Sequence, residues 1–166
     1  MYKAWARDQK GFTIVELLIV IVIIGVLAAI TIVAFSNVQQ KSRDARRAQD
    51  MALIKKALLL YQVDNGGVRS TTSYGGADGG GWDSSATAPW MSFLTSQYGG
   101  PIPVDPINAP NAVGTGDPTL GGQAYYYYCY PAGSGPNPAT ANVRYGYWSE
   151  QTKSGVNFYL PVEACL

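Results

Sequence analysis

From Leu17 to Phe35 the chain reads LLIVIVIIGVLAAITIVAF, nineteen residues in which Thr31 is the single polar side chain. A helix needs about 17–25 predominantly apolar residues to cross the hydrocarbon core of a bilayer. The block therefore predicts a membrane-crossing helix near the N-terminus. Immediately before it stands Glu16, in the stretch Gly11-Phe12-Thr13-Ile14-Val15-Glu16. A carboxylate in an apolar block is costly unless a positive charge meets it or its side chain reaches the interface. Two readings are open on these residues alone: a plain anchor with Glu16 snorkelling to water, or a Glu16 whose partner lies outside its own stretch.

Charge is balanced overall, with 12 Lys+Arg against 11 Asp+Glu, so nothing global advertises nucleic acid. Its placement is uneven. Lys41 to Lys56 holds six basic and two acidic residues, and Ala57 to Leu166 holds three basic and seven acidic ones. A basic segment just after a span points to the cytoplasm by the positive-inside rule, yet the short leader Met1–Lys10 is also net positive through Lys3, Arg7 and Lys10 against Asp8. The chain has no histidine. That removes His general bases, Ser-His-Asp and Cys-His nucleophile systems and imidazole metal sites together. Without a paired-carboxylate or metal cluster either, an extracytoplasmic enzyme is the least supported class.

A secretory signal is cut after its apolar stretch, behind small residues. Here the small residue, Gly11, precedes the apolar block, so any processing belongs at Gly11–Phe12 and leaves the helix in the mature chain. The stretch KGFTIVELLIVIVIIGVLAAI, Lys10 to Ile30, resembles the class III signal of type IV pilins and type II secretion pseudopilins. The resemblance implies cleavage by a prepilin peptidase between Gly11 and Phe12, N-methylation of the Phe12 amine, and a lipid-embedded pool of subunits. It further implies polymerisation with copies of itself and related pilins on an inner-membrane assembly platform. Glu16 takes the place of the family's helix glutamate, which meets the N-terminal amine of a neighbouring subunit. A carboxylate in an apolar bundle needs such a charge. The leader would then stay in the cytoplasm with the rest outside. The proline that many pilins carry in the middle of this helix is absent, so any local melting would centre on Gly25.

From Phe12 to Asp64 there is no proline and one glycine, Gly25, and Asn65-Gly66-Gly67 is a helix stop. At about 1.5 Å per residue this predicts roughly 80 Å of helix. Its second half carries Met51, Ile54, Leu58 and Tyr61 at helical spacing, flanked by Leu53, Ala57 and Leu60, with Arg46, Arg47, Asp50, Lys55 and Lys56 as polar positions. Asp44 and Asp50 lie within a turn of Arg47 and Arg46 and compensate part of the charge. The remaining basic patch is a solvated face or an intersubunit match to the acidic region, with contact to nucleic-acid phosphate as the alternative. Ser42 to Gly67 also resembles the helix-to-loop passage of major pseudopilins of type II secretion, although Val68-Arg69 stands where the family often has Tyr-Pro.

Val68 to Ala88 reads as an exposed Gly/Ser/Thr-rich loop, and Trp90 to Tyr98 as one or two helical turns. Gly99 to Pro110 packs four prolines into twelve residues and is an extended connector. Its Pro-x-Asp-Pro-x-Asn core resembles the segment entering the pseudopilin sheet, where some members bind calcium. Asp105, Asn108 and Asp117 are the candidate ligands, and Asx turns the simpler account of them.

Gln123–Tyr130, Asn142–Glu150 and Val156–Leu160 are β-prone runs separated by turns. Val143, Tyr145 and Tyr147 share one face, opposite Arg144, Gly146 and Trp148. An antiparallel meander covering the helix stripe follows. Cys129 and Cys165 fit a disulfide formed outside the cytosol, or else two buried thiols; the family's C-terminal disulfide loop is similar in placement.

The reading is therefore α+β and pilin-like. Residues 1–11 form a leader, 12–35 a membrane and filament-core helix, and 36–65 its amphipathic extension. Residues 66–166 form an extracytoplasmic domain with a loop at 66–122 and a sheet at 123–166. Its function is that of a filament subunit. The alternative is a membrane-anchored binding module that does not polymerise.

Overall fold

A computed structural model describes residues 11–69, 82–86, 90–94, 96–110, 122–135 and 139–166. The leader Met1–Lys10, the calcium candidate Asp117 and most of the Gly-rich loop lie outside the described residues. The chain divides into two compact units, the first ending at Gln39 and the second spanning Gln40–Leu166.

One helix, α1, runs Ile14–Asn65 and contributes to both units. It starts where Thr13 offers a side-chain cap and stops where the sequence puts two glycines. Gly66 takes φ +71°, and its amide donates to the Gln62 carbonyl at 2.8 Å. This is the left-handed glycine cap that satisfies an orphan carbonyl at a helix end.

In the second unit four antiparallel strands follow in simple meander order: β1 Asp83–Ser84, β2 Tyr126–Tyr130, β3 Asn142–Ser149 and β4 Ser154–Pro161. The register sets Tyr127 opposite Tyr145 and Tyr145 opposite Phe158. One face of the sheet thus lays Tyr127, Cys129, Val143, Tyr145, Tyr147 and Leu160 in one cluster with Met51, Ile54, Ala57 and Leu58 of α1. Burying an aliphatic or aromatic side chain stabilises by about 1.5–3 kcal/mol, so this cluster is what holds sheet and helix together. The expected stripe is present, but Leu53 and Leu60 flank it on the outside, 58% and 42% exposed.

The sheet is larger than the sequence suggests. β1 falls inside the stretch expected to be an exposed loop, and Val68, Asp83, Ser84 and Ser85 there are buried. The outer face of the sheet carries a second aromatic layer, with Trp82 5.1 Å from Tyr128 and 5.7 Å from Tyr126 and the Arg144 guanidinium 5.0 Å from the Trp82 ring centre. Tyr126 crosses β3 at Gly146, where a Cβ would come within 2.7 Å of the Tyr126 hydroxyl and 2.0 Å of the Val156 carbonyl oxygen. Only glycine fits that crossing. Of the one or two helical turns expected over Trp90–Tyr98, the described residues hold a 3-10 turn at Ser96–Tyr98.

Cys129 and Cys165 are joined by a disulfide, Cα–Cα 5.8 Å. Its tail pairs with the chain just past the helix: Val68 donates to the Ala164 carbonyl at 2.8 Å, and Leu166 donates back to Val68 at 2.9 Å. The bond therefore pins the C-terminus between β2 and the helix exit.

Candidate assembly site

In the first unit the chemistry lies in residues 11–16. Gly11 and Phe12 precede the helix, and Phe12 is 90% exposed. Nothing lies within 4 Å of where a Gly11 Cβ would stand. Among the described residues nothing at this position requires glycine. Thr13 and Glu16 form a reciprocal capping box. The Glu16 Oε2 accepts from the Thr13 amide and from the Thr13 hydroxyl, both at 2.8 Å, while the Glu16 amide donates to Thr13 Oγ1 at 3.2 Å. Two orphan donors of the first helical turn are thereby satisfied. Within the chain Thr13 supplies Glu16 with hydrogen bonds three residues away, without supplying a positive charge. The signal was available, since Thr-x-x-Glu before an apolar run is the capping-box pattern.

Beyond the cap, the large apolar side chains described between Phe12 and Phe35 are 50–90% exposed. Among the described residues, α1 is the helix long and apolar enough to cross a membrane, with a mean hydropathy of 3.3 in its most apolar window.

In the second unit a polar cluster occupies the start of the packed half of α1. Arg47 is fully buried. Its guanidinium grips Asp105 in a fork, Nε to Oδ2 at 2.7 Å and Nη2 to Oδ1 at 3.0 Å. Its Nη1 donates to Glu150 at 2.7 Å and to Asp44 at 2.8 Å. Arg43 donates from Nε and Nη2 to the two oxygens of Glu150, and Ser149 donates its hydroxyl to Asp44 at 2.7 Å. One turn further on, Tyr125 donates to Asp50 at 2.6 Å. Three elements meet here: the helix, the β3–β4 turn and the proline-rich connector.

The electrostatics follow from that geometry. The bonds from Arg43 hold the Glu150 carboxyl below the usual range against its desolvation, with Arg47 adding to them. Burial pushes the Asp44 carboxyl up, but the Ser149 hydroxyl, Arg47 and two backbone amides outweigh it and the net shift is down. Burial works against the charge of Arg47, and its carboxylate partners reverse that, leaving it more basic than usual. Burial and then the neighbouring Asp50 raise the Tyr125 hydroxyl.

This cluster corrects one expectation and places Asp105 in the simpler of its two readings. Arg47 and Asp50 do not lie on a solvated face; the carboxylates of Asp105 and Glu150 come to Arg47, and the Tyr125 hydroxyl to Asp50, within one chain. Asp105 faces Arg47, not an open site, and its Oδ1 also accepts from the Ile107 amide at 2.9 Å in an Asx turn. Asn108 is bonded to Ser85. No group of three or more acidic, Cys or His side chains arranged to hold a metal occurs among the described residues. The signal for Arg47 was phase, because stepping the Met51–Ile54–Leu58 stripe back one turn lands on it.

Residues 6–32 match the family described as "Prokaryotic N-terminal methylation motif". The type II secretion system core protein G of Aeromonas hydrophila is 30% identical over 104 residues, which are 63% of this chain and 71% of that protein. The chain belongs to the type IV pilin and type II secretion pseudopilin family. Within it, core protein G of Escherichia coli K12 is 31% identical over 90 residues, 54% of this chain, and the match spans 57% of that relative's length. The type IV major alpha-pilin of Moraxella bovis is 48% identical over 50 residues, 30% of this chain and 31% of that pilin. No solved structure matches significantly. The family's hallmark, a methylation motif running into an apolar helix, thus coincides with the exposed segment and capping box described above.

Proposed function

We propose that this pilin-family chain is a structural subunit of a type IV pilus-like or secretion-pseudopilus filament. A prepilin peptidase cuts between Gly11 and Phe12, the Phe12 amine is methylated, and the helix of residues 12–35 leaves the membrane to become the core of the polymer. The observation that carries this reading is the apolar helix, whose described large side chains between Phe12 and Phe35 are at least half exposed and find no cover among the described residues. Such a surface belongs in lipid or against other apolar helices. Lipid tails are as apolar as Leu, so leaving them for a helix bundle is driven by close packing and polar pairs more than by a hydrophobic gain. Glu16 fits that need: the cut at Gly11 creates an amine at Phe12, and a second copy's amine can meet the Glu16 carboxylate and set register.

Gly11 is compatible with the processing step, because no described residue packs where its side chain would be and a prepilin peptidase could read it there. The domain formed by Gln40–Leu166 would then decorate the filament outside the cytoplasmic membrane, a compartment in which its disulfide persists.

The test is mass spectrometry of the chain from its native membrane, read with electron microscopy of sheared surface material. A mature form starting at methylated Phe12, together with filaments, is expected. An intact Met1 with no form beginning at Phe12 would sink the reading. Glu16→Leu should abolish filaments while the protein still reaches the membrane; unimpaired function without polymer would favour the anchored binding module.

A further inference from the structure

Beyond any role in a filament, we propose that the free edge of β4 and the groove beside it bind an extended, carboxylate-bearing segment of another protein as an added strand. The two edges of the sheet are built differently. β1 is two residues long, Asp83–Ser84, and an edge that short offers little to pair with. β4 runs eight residues, Ser154–Pro161, and among the described residues it pairs only with β3. Natural edges are guarded by charge and proline. Here Lys153 and Pro161 stand at the two ends, and the sequence between them, SGVNFYL, contains neither.

The phase of the ladder says which backbone groups are free. Val162 donates to the Ala141 carbonyl at 3.0 Å, and the register sets Pro161 opposite Asn142. In an antiparallel pair, bonded and non-bonded positions alternate. Val156, Phe158 and Leu160 therefore turn their N–H and C=O groups to β3, while Asn157 and Tyr159 turn theirs outward. Pro161, which has no N–H, falls at an outward position as well. Among the described residues no partner reaches the backbone groups of Asn157 and Tyr159.

Beside that edge, Ala48, Met51, Ala52 and Lys55 of α1 line a groove of about 250 Å³ with Tyr145 and Phe158. Ala48 and Ala52 are exposed, and their short side chains leave the space. Small-molecule sites run to about 300–1,000 Å³, so this groove is better matched to a few side chains of a strand laid on β4. Strand addition works in that way, with main-chain bonds giving affinity and pockets for alternate side chains giving specificity. Lys55 is exposed at the groove, and among the described residues no carboxylate forms an ion pair with it; Asp44, Asp50, Asp105 and Glu150 are committed to arginines. An unmatched cation there calls for a carboxylate on the incoming segment. β4 itself has no acidic residue, so pairing β4 of one copy with β4 of another would leave Lys55 unmatched, and a different chain is the occupant that charge favours.

The experiment titrates the full chain in detergent with synthetic peptides in which valine and threonine alternate and one glutamate is moved along the sequence. Fluorescence anisotropy reads binding, and amide hydrogen exchange reads where the peptide lies. Binding should slow exchange at Asn157 and Tyr159 and leave Phe158 and Leu160, already bonded to β3, unchanged. Tyr159→Pro removes an outward N–H without touching the bonds to β3, and should weaken binding about tenfold or more with thermal unfolding preserved. Ala52→Leu, which fills the groove, should weaken it about threefold or more. Glutamine in place of the peptide's glutamate should cost about threefold against the wild-type chain and nothing against Lys55→Gln. Peptides N-methylated on alternate amides leave the protein untouched, and they should bind in one phase of methylation and fail in the other. Failure of every peptide to bind, or binding indifferent to the phase of methylation, would overturn the proposal. Protection of Asn157 and Tyr159 that grows with protein concentration in the absence of peptide would assign the edge to a second copy and overturn it too.

Discussion

The two halves of α1 belong to one unbroken helix, yet they are stabilised by different things. From Leu17 to Phe35 the side chains are apolar apart from Thr31, and those described are exposed; the secondary structure there rests on backbone bonds and the Thr13–Glu16 cap. From Gln40 to Asn65 one face is buried against a sheet, and that face is apolar at Met51, Ile54 and Leu58 but ionic at Arg47. A helix with no fixed neighbour can be apolar all round. One that must meet a sheet and a loop at fixed places needs residues that specify where, and a buried guanidinium shared by three carboxylates does so more sharply than aliphatic packing.

The largest test of this contrast is Arg47→Met. It removes the cation but leaves Asp105 and Glu150 buried, and should destabilise the second unit by about 3–5 kcal/mol, since breaking a buried pair from one side strands the other charge. Calorimetry or circular dichroism of the full chain in detergent reads it; an unchanged melting temperature would erase the proposed difference between the halves. Leu58→Ala should cost about 2–5 kcal/mol as a core truncation, whereas Leu53→Ala, on the outer face, should stay within about 0.5 kcal/mol in the unassembled chain. Equal losses at the two positions would mean that the outer face is covered within the chain itself.

Reducing the Cys129–Cys165 bond, which spans 36 positions, should lower stability by about 2–4 kcal/mol and release protection at Val68 and Leu166 first in hydrogen exchange, with the first half of the helix unaffected. Acid acts on the same unit. Asp44 and Glu150 have folded-state pKa values below their ordinary ones, so they stabilise the fold above the ordinary carboxylate range and that contribution is lost as pH falls through the folded values. Melting temperature should therefore drop as pH is lowered below about 4.5, and the drop should shrink in Arg47→Met. The smallest effect is expected at Thr13→Val, which removes the cap at a cost of about 1 kcal/mol. Amide exchange should quicken over residues 14–17 only, with the melting of the second unit unchanged.

Much of the architecture was legible because it is written in period and punctuation. The unbroken run without proline, the Asn65-Gly66-Gly67 stop, the Met51–Leu58 stripe and three of the four strands each depend on neighbours within a dozen residues. The Thr13–Glu16 box was equally local, a Thr-x-x-Glu pattern ahead of an apolar run. β1 was not legible: two residues, Asp83 and Ser84, have no period, and they form a strand because the edge of β2 offers Tyr126 and Tyr127 as partners.

By itself, the sequence determined that there is a long apolar helix beginning just after Gly11–Phe12, and that a small Tyr-rich antiparallel sheet follows. Tertiary structure decided which charges are structural. Arg47 sits beside Arg46 in the chain, but a rotation of about 100° per residue sends one side chain inward and the other outward. Of the three carboxylates that neutralise Arg47, Asp44 is three residues away, but Asp105 and Glu150 come from 58 and 103 residues away, a distance over which local pattern carries no information.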